Sequence, residues 1–151
     1  MIYHFIGIKG TGMSALAQIM KSLGYEVQGS DKPDHFFTEA GLLEKGIKIL
    51  NFSKENIKED MVIVQGNAFK DDHEEVVRAK ELGLKIYTYQ EMVGRLTEMF
   101  MTIGVSGCHG KTTTTAMMAH VLGNIVGTNY LIGDGSGFAS KENKYFCLEA
   151  C

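Results

Sequence analysis

Short apolar runs of strand length alternate with amphipathic stretches along most of the chain, and this alternation limits the possible folds more than any other feature. It is typical of a parallel sheet with helices on its faces. Met61–Gln65 is almost entirely apolar, as expected for a strand that is buried on both faces. The sequence therefore predicts an α/β fold built on parallel strands.

The same pattern predicts bounds for each element. The predicted strands are Tyr3–Ile8, Glu26–Gly29, Ile47–Leu50, Met61–Gln65, Lys85–Thr88, Phe100–Val105 and Tyr145–Leu148. The predicted helices are Gly12–Leu23, Phe37–Lys45, Asp71–Leu82, Gln90–Glu98 and Lys111–Leu122. A new unit begins near Met99, so we expect one domain over residues 1–98 and the first part of a second domain over residues 99–151.

Composition and charge exclude several classes of function. The 15 basic and 18 acidic residues give a net charge of −3 without a basic block, which argues against a nucleic-acid partner. No apolar run approaches the roughly 20 residues of a membrane span, and the start lacks the pattern of a signal peptide. Three cysteines do not make a disulfide framework. We expect a cytoplasmic protein without membrane insertion.

The first glycine-rich segment, Gly7–Ser14, lies directly between a predicted strand and a predicted helix. Its glycines let a phosphate approach the backbone, and the helix start offers N–H groups and a positive dipole end. Asp31 and Asn67 follow two other predicted strands, where side chains can contact a ribose or base. The spacing is weak evidence by itself, and a tight turn with Asp31 capping a loop is the alternative.

The second glycine-rich segment, Gly107–Thr113, again lies between a predicted strand and a predicted helix. Lys111 can reach the β- and γ-phosphates of ATP, and the Thr112 hydroxyl can hold Mg²⁺. Glu149, at the end of the last predicted strand, is placed to be a second Mg²⁺ ligand. Val105 stands where a strict phosphate-binding loop has glycine, so the generic motif is only partly met. The candidate ATP-binding residues are Gly107, Cys108, His109, Gly110, Lys111, Thr112 and Thr113.

Both segments, with Gly29–Asp31 and Leu148–Ala150, resemble the Mur ligases of bacterial cell-wall synthesis in order and spacing. The resemblance covers the whole chain. It implies a Rossmann-like domain for the UDP part of UDP-N-acetylmuramate, then the start of a P-loop ATPase domain for ATP and Mg²⁺. It also implies that Lys111 is catalytic and that Asp31 meets the uridine. The pyrophosphate would be held by Gly10, Thr11, Gly12, Met13 and Ser14.

In that family, ATP phosphorylates a carboxylate to an acyl phosphate, which an amine then attacks. The resemblance implies that L-alanine is the amine joined to UDP-N-acetylmuramate in peptidoglycan synthesis. A ligase that joins a whole tripeptide to the same sugar nucleotide is an alternative, because the residues that select the amine lie outside this sequence. A non-catalytic sensor or redox-cofactor-binding protein is another alternative. The first glycine-rich segment is consistent with it, whereas the second is not.

The sequence stops soon after the second loop, so we expect the chain to bind nucleotide without completing the reaction and without a site for L-alanine. The last predicted strand would leave an open sheet edge and an uncovered apolar face at Tyr145–Leu148. We expect the residues after 98 to be held by packing on the first domain or by self-association through that edge.

Overall fold

The computed structural model describes residues 1–150, which form two sheets flanked by helices. The strands are β1 (Ile2–Ile6), β2 (Glu26–Asp31), β3 (Lys48–Asn51), β4 (Met61–Gln65), β5 (Lys85–Thr88), β6 (Met101–Val105), β7 (Thr128–Leu131), β8 (Gly137–Phe138) and β9 (Tyr145–Glu149). The α-helices are α1 (Thr11–Ser22), α2 (Glu39–Glu44), α3 (Glu74–Glu81), α4 (Tyr89–Met99) and α5 (Lys111–Ile125), and a short 3-10 helix covers Lys54–Asn56.

The first sheet has the order β3-β2-β1-β4-β5, and all its strand pairs are parallel. This confirms the predicted α/β fold with a Rossmann-like parallel sheet. The strand order reverses between β1 and β4, which creates a crevice at the carboxyl ends of these strands. Gly7, Asp31 and Asn67 all lie at that edge, because each ends or follows one of the three central strands.

The second sheet has the order β6-β9-β7-β8, with β8 antiparallel to β7 and the other pairs parallel. The sequence prediction missed β7 and β8, because strands of four and two residues are too short to show a clear period of two. The change of sheet falls between the end of α4 at Met99 and the start of β6 at Met101. A functional division at residue 98 remains a prediction.

The predicted open edge at Tyr145–Leu148 is wrong. Strand β9 is an interior strand, in which Phe146 is opposite Thr102 of β6 on one side and Asn129 of β7 on the other. Phe146 is only 1% exposed and lies in the main core. Strand β9 therefore has no free edge through which the chain could self-associate. Among residues 1–150, the edges of this sheet are β6 and β8.

Helix α1 lies between the two sheets. Every residue from Met13 to Met20 is buried, which is typical of a helix surrounded on all sides. One apolar core joins Phe5 and Leu16 of the first half to Leu131 and Phe146 of the second. The expectation that the second half packs on the first is confirmed.

The helix bounds depart from the predicted ones mainly at the starts of two helices and at the end of α5, which continues to Ile125, three residues past its predicted end. Helix α3 begins at Glu74 and not at Asp71, because the His73 side chain accepts the Glu75 N–H as its N-cap. Helix α2 begins at Glu39, two residues after its predicted start. Among residues 1–150, no helix combines the length and the apolar character needed to cross a membrane.

A buried polar network supports the first sheet beside the crevice. The Glu75 carboxylate is fully buried; it accepts hydrogen bonds from the Ser30 hydroxyl at 2.5 Å and the Asn56 amide at 2.8 Å, and lies 3.2 Å from His4 Nε2. Burial alone would raise the pKa of Glu75, but the hydrogen bonds from His4, Ser30 and Asn56 outweigh it and lower that pKa. The Ser30 carbonyl accepts the Gly7 N–H at 2.9 Å, so the network is continuous with the first loop.

Candidate functional site

Helix α1 starts directly behind the first loop. The Gly10 N–H donates to the Gly7 carbonyl at 3.3 Å, and the Ser14 N–H donates to the Gly10 carbonyl at 2.7 Å as the first helical bond. No side chain of residues 1–150 caps this helix, and its first turn has no acidic residue. The backbone N–H groups of the first turn are therefore oriented toward the carboxyl edge of the sheet, which favours an anion there.

One cavity of about 590 Å³ lies at this edge and is lined by both halves of the chain. The first half contributes six of the predicted UDP-sugar contacts: Gly10, Thr11, Gly12, Met13, Asp31 and Asn67. The second half contributes Leu131, Ile132, Gly133 and Glu149. The structure thus brings the first loop next to a residue that was predicted to serve the second loop.

Ser14 is the predicted contact that the structure places elsewhere. Its side chain is fully buried and does not line the cavity. The hydroxyl lies 3.5 Å from the Gly135 carbonyl oxygen and 3.2 Å from the Gln18 amide nitrogen. Because α1 turns this side chain toward the second half of the chain, Ser14 is not placed to contact a pyrophosphate with its hydroxyl.

Asp31 lies on the cavity wall, but its carboxylate already has two backbone partners. One oxygen accepts the Lys9 N–H and the other accepts the Lys32 N–H, each at 2.8 Å. The side chain is 8% exposed. Asp31 therefore holds the first loop against the end of β2, and it also lines the cavity.

Lys9 is a residue whose role the sequence did not indicate. Its ammonium group is 5% exposed, donates to the Lys32 and Asp34 carbonyls at 2.7 Å each, and forms an ion pair with Glu39 at 2.5 Å. The Lys9 hydrogen bond, followed by that of His35, lowers the pKa of Glu39. These contacts hold the segment after β2 over the cavity. A lysine within a glycine-rich loop gives no sequence signal that it faces inward.

The second loop is open to solvent. Residues 106–110 are all exposed, and Lys111 Nζ donates to the Gly107 carbonyl at 2.9 Å. Gly110 has φ +77° as the N-cap of α5, a left-handed conformation that favours glycine. No side chain of residues 1–150 caps α5. The loop thus presents backbone N–H groups and an ammonium group on the surface.

Two predicted metal ligands meet beside this loop. The Thr112 hydroxyl is 3.0 Å from each oxygen of the Glu149 carboxylate. One of those oxygens also accepts the Gly133 N–H at 2.7 Å. Glu149 lines the cavity of the first loop as well, so it lies between the two candidate phosphate sites.

Comparison with protein families agrees with this geometry. A family model described as the Mur ligase family, catalytic domain, matches residues 2–101, which is more than half of the chain. The chain belongs to the Mur ligase family. Mur ligases are ATP-dependent, which agrees with a candidate ATP-binding loop next to the first loop.

Solved structures of other Mur ligases match over nearly all of this chain. The UDP-N-acetylmuramate–alanine ligase from Thermotoga maritima is 31% identical, with a TM-score of 0.87 over 99% of this chain and 36% of its own. The UDP-N-acetylmuramate:L-alanyl-γ-D-glutamyl-meso-diaminopimelate ligase from Neisseria meningitides is 30% identical, with a TM-score of 0.85 over 99% and 52%. A murein peptide ligase from Psychrobacter arcticus is 26% identical, with a TM-score of 0.83 over 100% and 38%. The chain thus spans about half of these relatives or less.

The oxygen donors beside the second loop fit Mg²⁺. A hydroxyl and a carboxylate are hard ligands, and Mg²⁺ commonly takes one or two carboxylates and completes its shell with water and phosphate oxygens. Within residues 1–150, no three His, Cys, Asp or Glu side chains are grouped closely enough to hold a metal. Thr112 and Glu149 would suit Mg²⁺ that is bound together with nucleotide phosphates.

Proposed function

We propose that this chain is the front part of an ATP-dependent ligase that joins L-alanine to UDP-N-acetylmuramate in peptidoglycan synthesis. The UDP-sugar occupies the cavity along Gly10–Met13, Asp31 and Asn67, and the second loop holds the phosphates of ATP. The observation behind the proposal is the position of Glu149, which lines the cavity and is 3.0 Å from Thr112. A phosphate bound at the first loop and one bound at the second would therefore lie on opposite sides of the Glu149 carboxylate.

Each group at the second loop has a distinct part in this proposal. The backbone N–H groups of Gly107–Gly110 bind phosphate oxygens, and Lys111 leaves the Gly107 carbonyl to contact the β- and γ-phosphates. Thr112 and Glu149 hold Mg²⁺, which supplies positive charge to the phosphates when bound. These residues position and stabilise charge for phosphoryl transfer to the substrate carboxylate, which gives an acyl phosphate for the amine to attack.

A tripeptide is the alternative amine. Two of the three solved relatives are peptide ligases, and their identities of 30% and 26% do not separate them from the alanine ligase at 31%. Phosphate release by the longer parent protein, measured with L-alanine and with the tripeptide, distinguishes the two. The 151-residue chain itself should bind the ligands without ligation, since it spans only 36–52% of these relatives.

Ligand binding to residues 1–151 tests the proposal. UDP-N-acetylmuramate should raise the melting temperature, because a ligand at 100 times its Kd stabilises the native state by about 2.7 kcal/mol. NADH at the same concentration should give no shift. A larger shift with NADH would support a redox-cofactor protein and contradict the proposal.

A matched pair of asparagine variants locates the binding site. Asn67 lines the cavity, whereas Asn51 is an exposed residue at the end of β3 that does not. Asn67→Ala should weaken UDP-N-acetylmuramate binding by about fivefold, the value of one hydrogen bond. Asn51→Ala should leave the affinity unchanged. Equal effects of the two changes would place the sugar nucleotide outside this cavity.

A further inference from the structure

The turn from Ile132 to Gly137 contacts both halves of the chain at once. At one end, the Gly133 N–H donates to Glu149 at 2.7 Å. Two residues later, the Gly135 carbonyl accepts a hydrogen bond from the Gln18 amide of α1 at 2.8 Å. A single short turn therefore connects the helix behind the first loop to the carboxylate beside the second.

Gln18 is held in one orientation. Its side chain is 6% exposed, and only its amide nitrogen can donate to a carbonyl oxygen. The same nitrogen lies 3.2 Å from the Ser14 hydroxyl, and a Cβ at Gly41 of α2 would be only 3.1 Å from it. The amide is thus enclosed between α1, α2 and the turn, and it cannot move away without losing these contacts.

The turn itself is fixed by internal contacts. The Ile132 N–H donates to the Ser136 carbonyl at 3.0 Å, and the Asp134 carboxylate accepts both the N–H and the hydroxyl of Ser136. Gly135 has φ +89°, which favours glycine. A Cβ at Gly137 would lie 2.3 Å from the Ala15 carbonyl oxygen, so the turn packs directly on the backbone of α1. A shift at its Gln18 end therefore displaces its Gly133 end.

We infer that Gln18 is a positioning residue for Glu149. It anchors the turn so that the Gly133 N–H orients the carboxylate toward Thr112, although Gln18 itself hydrogen-bonds to neither of these residues. A partner of this kind is important because changing a group that orients a metal ligand typically lowers metal affinity by about 10- to 100-fold. The inference rests on the proposed function only where it concerns Mg²⁺; the anchoring of Gly133 stands apart from it.

Hydrogen exchange tests the anchoring without any ligand. Gln18→Met keeps the side-chain volume and removes the donor. The Gly133 amide should then exchange about fivefold faster, because its hydrogen bond to Glu149 opens more often. Ser22→Ala is the matched control, since Ser22 lies on the same helix, donates to the Gln18 carbonyl and does not contact the turn. Unchanged exchange at Gly133 in a folded Gln18→Met protein overturns the inference.

Nucleotide binding tests the consequence for Mg²⁺. A non-hydrolysable ATP analogue should bind Gln18→Met about tenfold more weakly with Mg²⁺, and equally well in EDTA. Loss in both conditions would indicate general damage to the fold and would contradict a positioning role. If the unchanged protein binds no nucleotide at all, the proposed function fails, while the exchange result still decides the role of Gln18.

A second variant keeps the test decisive if Gln18→Met does not fold. Ser136→Ala removes the hydroxyl bond to Asp134 and loosens the turn without touching α1. It should also make the Gly133 amide exchange faster, by a smaller factor than Gln18→Met. No change in exchange at Gly133 in this variant would show that the turn does not hold the Glu149 contact.

Discussion

The two loop–helix units of this chain are built from the same parts but are held very differently. Helix α1, behind the first loop, is buried from Met13 to Met20 between two sheets. Helix α5, behind the second loop, has apolar side chains on its surface: Met117, Val121 and Ile125 are each more than half exposed. The first loop is fixed by Lys9 and Asp31, whereas the Lys111 ammonium group of the second donates, within residues 1–150, only to a carbonyl of its own loop.

This difference indicates how each site would gain affinity. The first loop faces a cavity whose walls are already in place, so little conformational freedom should be lost when a ligand binds. At the second loop, the ammonium group of Lys111 donates to the Gly107 carbonyl and would have to leave it to contact a bound phosphate, so the proposed ligand itself would complete the site. Substitutions near the first loop should therefore lower stability, and those at the second should mainly lower affinity.

The largest effect on stability should come from the network beneath the first loop. Glu75→Ala leaves the buried polar groups of His4 and Ser30, and the partly buried amide of Asn56, without their common acceptor. This should lower the free energy of unfolding by about 3–5 kcal/mol. Glu74→Ala, at the exposed neighbouring position, is the control and should cost less than about 1 kcal/mol. Chemical denaturation of the two variants measures the difference. Similar denaturation midpoints would show that the first loop–helix unit is not held by this buried network.

Lys9→Met should have the next largest effect. It removes hydrogen bonds from a buried ammonium group to two carbonyls, which should lower the free energy of unfolding by about 2 kcal/mol and weaken UDP-N-acetylmuramate binding. Lys21→Met is a suitable control, because Lys21 is in the same half and its ammonium group forms a long ion pair of 3.9 Å with the exposed Glu26. If both variants bind the sugar nucleotide equally, Lys9 does not shape the cavity.

A smaller effect should appear in the pH dependence of stability. The folded pKa of Glu75 is lowered, so its contribution is complete above the unfolded pKa of about 4.3 and is lost as the pH falls through the folded value. Glu75→Gln should show a shallower loss of unfolding free energy between about pH 5 and pH 3 than the unchanged protein. If the unfolding free energies of the two proteins fall in parallel with pH, the pKa of Glu75 does not differ between the folded and unfolded states.

The sequence indicated those features that depend on local patterns. The parallel strands, both loops and the pairing of Thr112 with Glu149 follow from short motifs at strand ends, where parallel topology brings side chains together. It does not indicate β7 and β8, and without them β9 is predicted to be an edge strand. The inward positions of Ser14 and Gln18 could not be predicted, because they depend on how the second half packs on α1. The inward position of Lys9 could not be predicted either, because it depends on how the segment after β2 folds back over the first loop.

Cys108 and Cys147 should differ in their reactivity toward alkylating agents, and this comparison does not depend on stability. It is exposed in the second loop, whereas Cys147 is buried in β9. Brief treatment with iodoacetamide followed by peptide mapping should therefore label Cys108 and spare Cys147. Mg²⁺ with an ATP analogue should slow labelling of Cys108, since phosphates would fill the loop. Labelling at the same rate with and without the nucleotide would argue against a phosphate site there.

The most direct test of two separate phosphate sites is a titration of Lys111→Ala with both ligands. Loss of a charged hydrogen-bond donor should weaken binding of the ATP analogue by at least about tenfold. Binding of UDP-N-acetylmuramate should stay within about twofold, because Lys111 does not line the first cavity. Lys141→Ala, at an exposed lysine in the same half, should change neither affinity. A parallel loss of both ligands in Lys111→Ala would contradict the account.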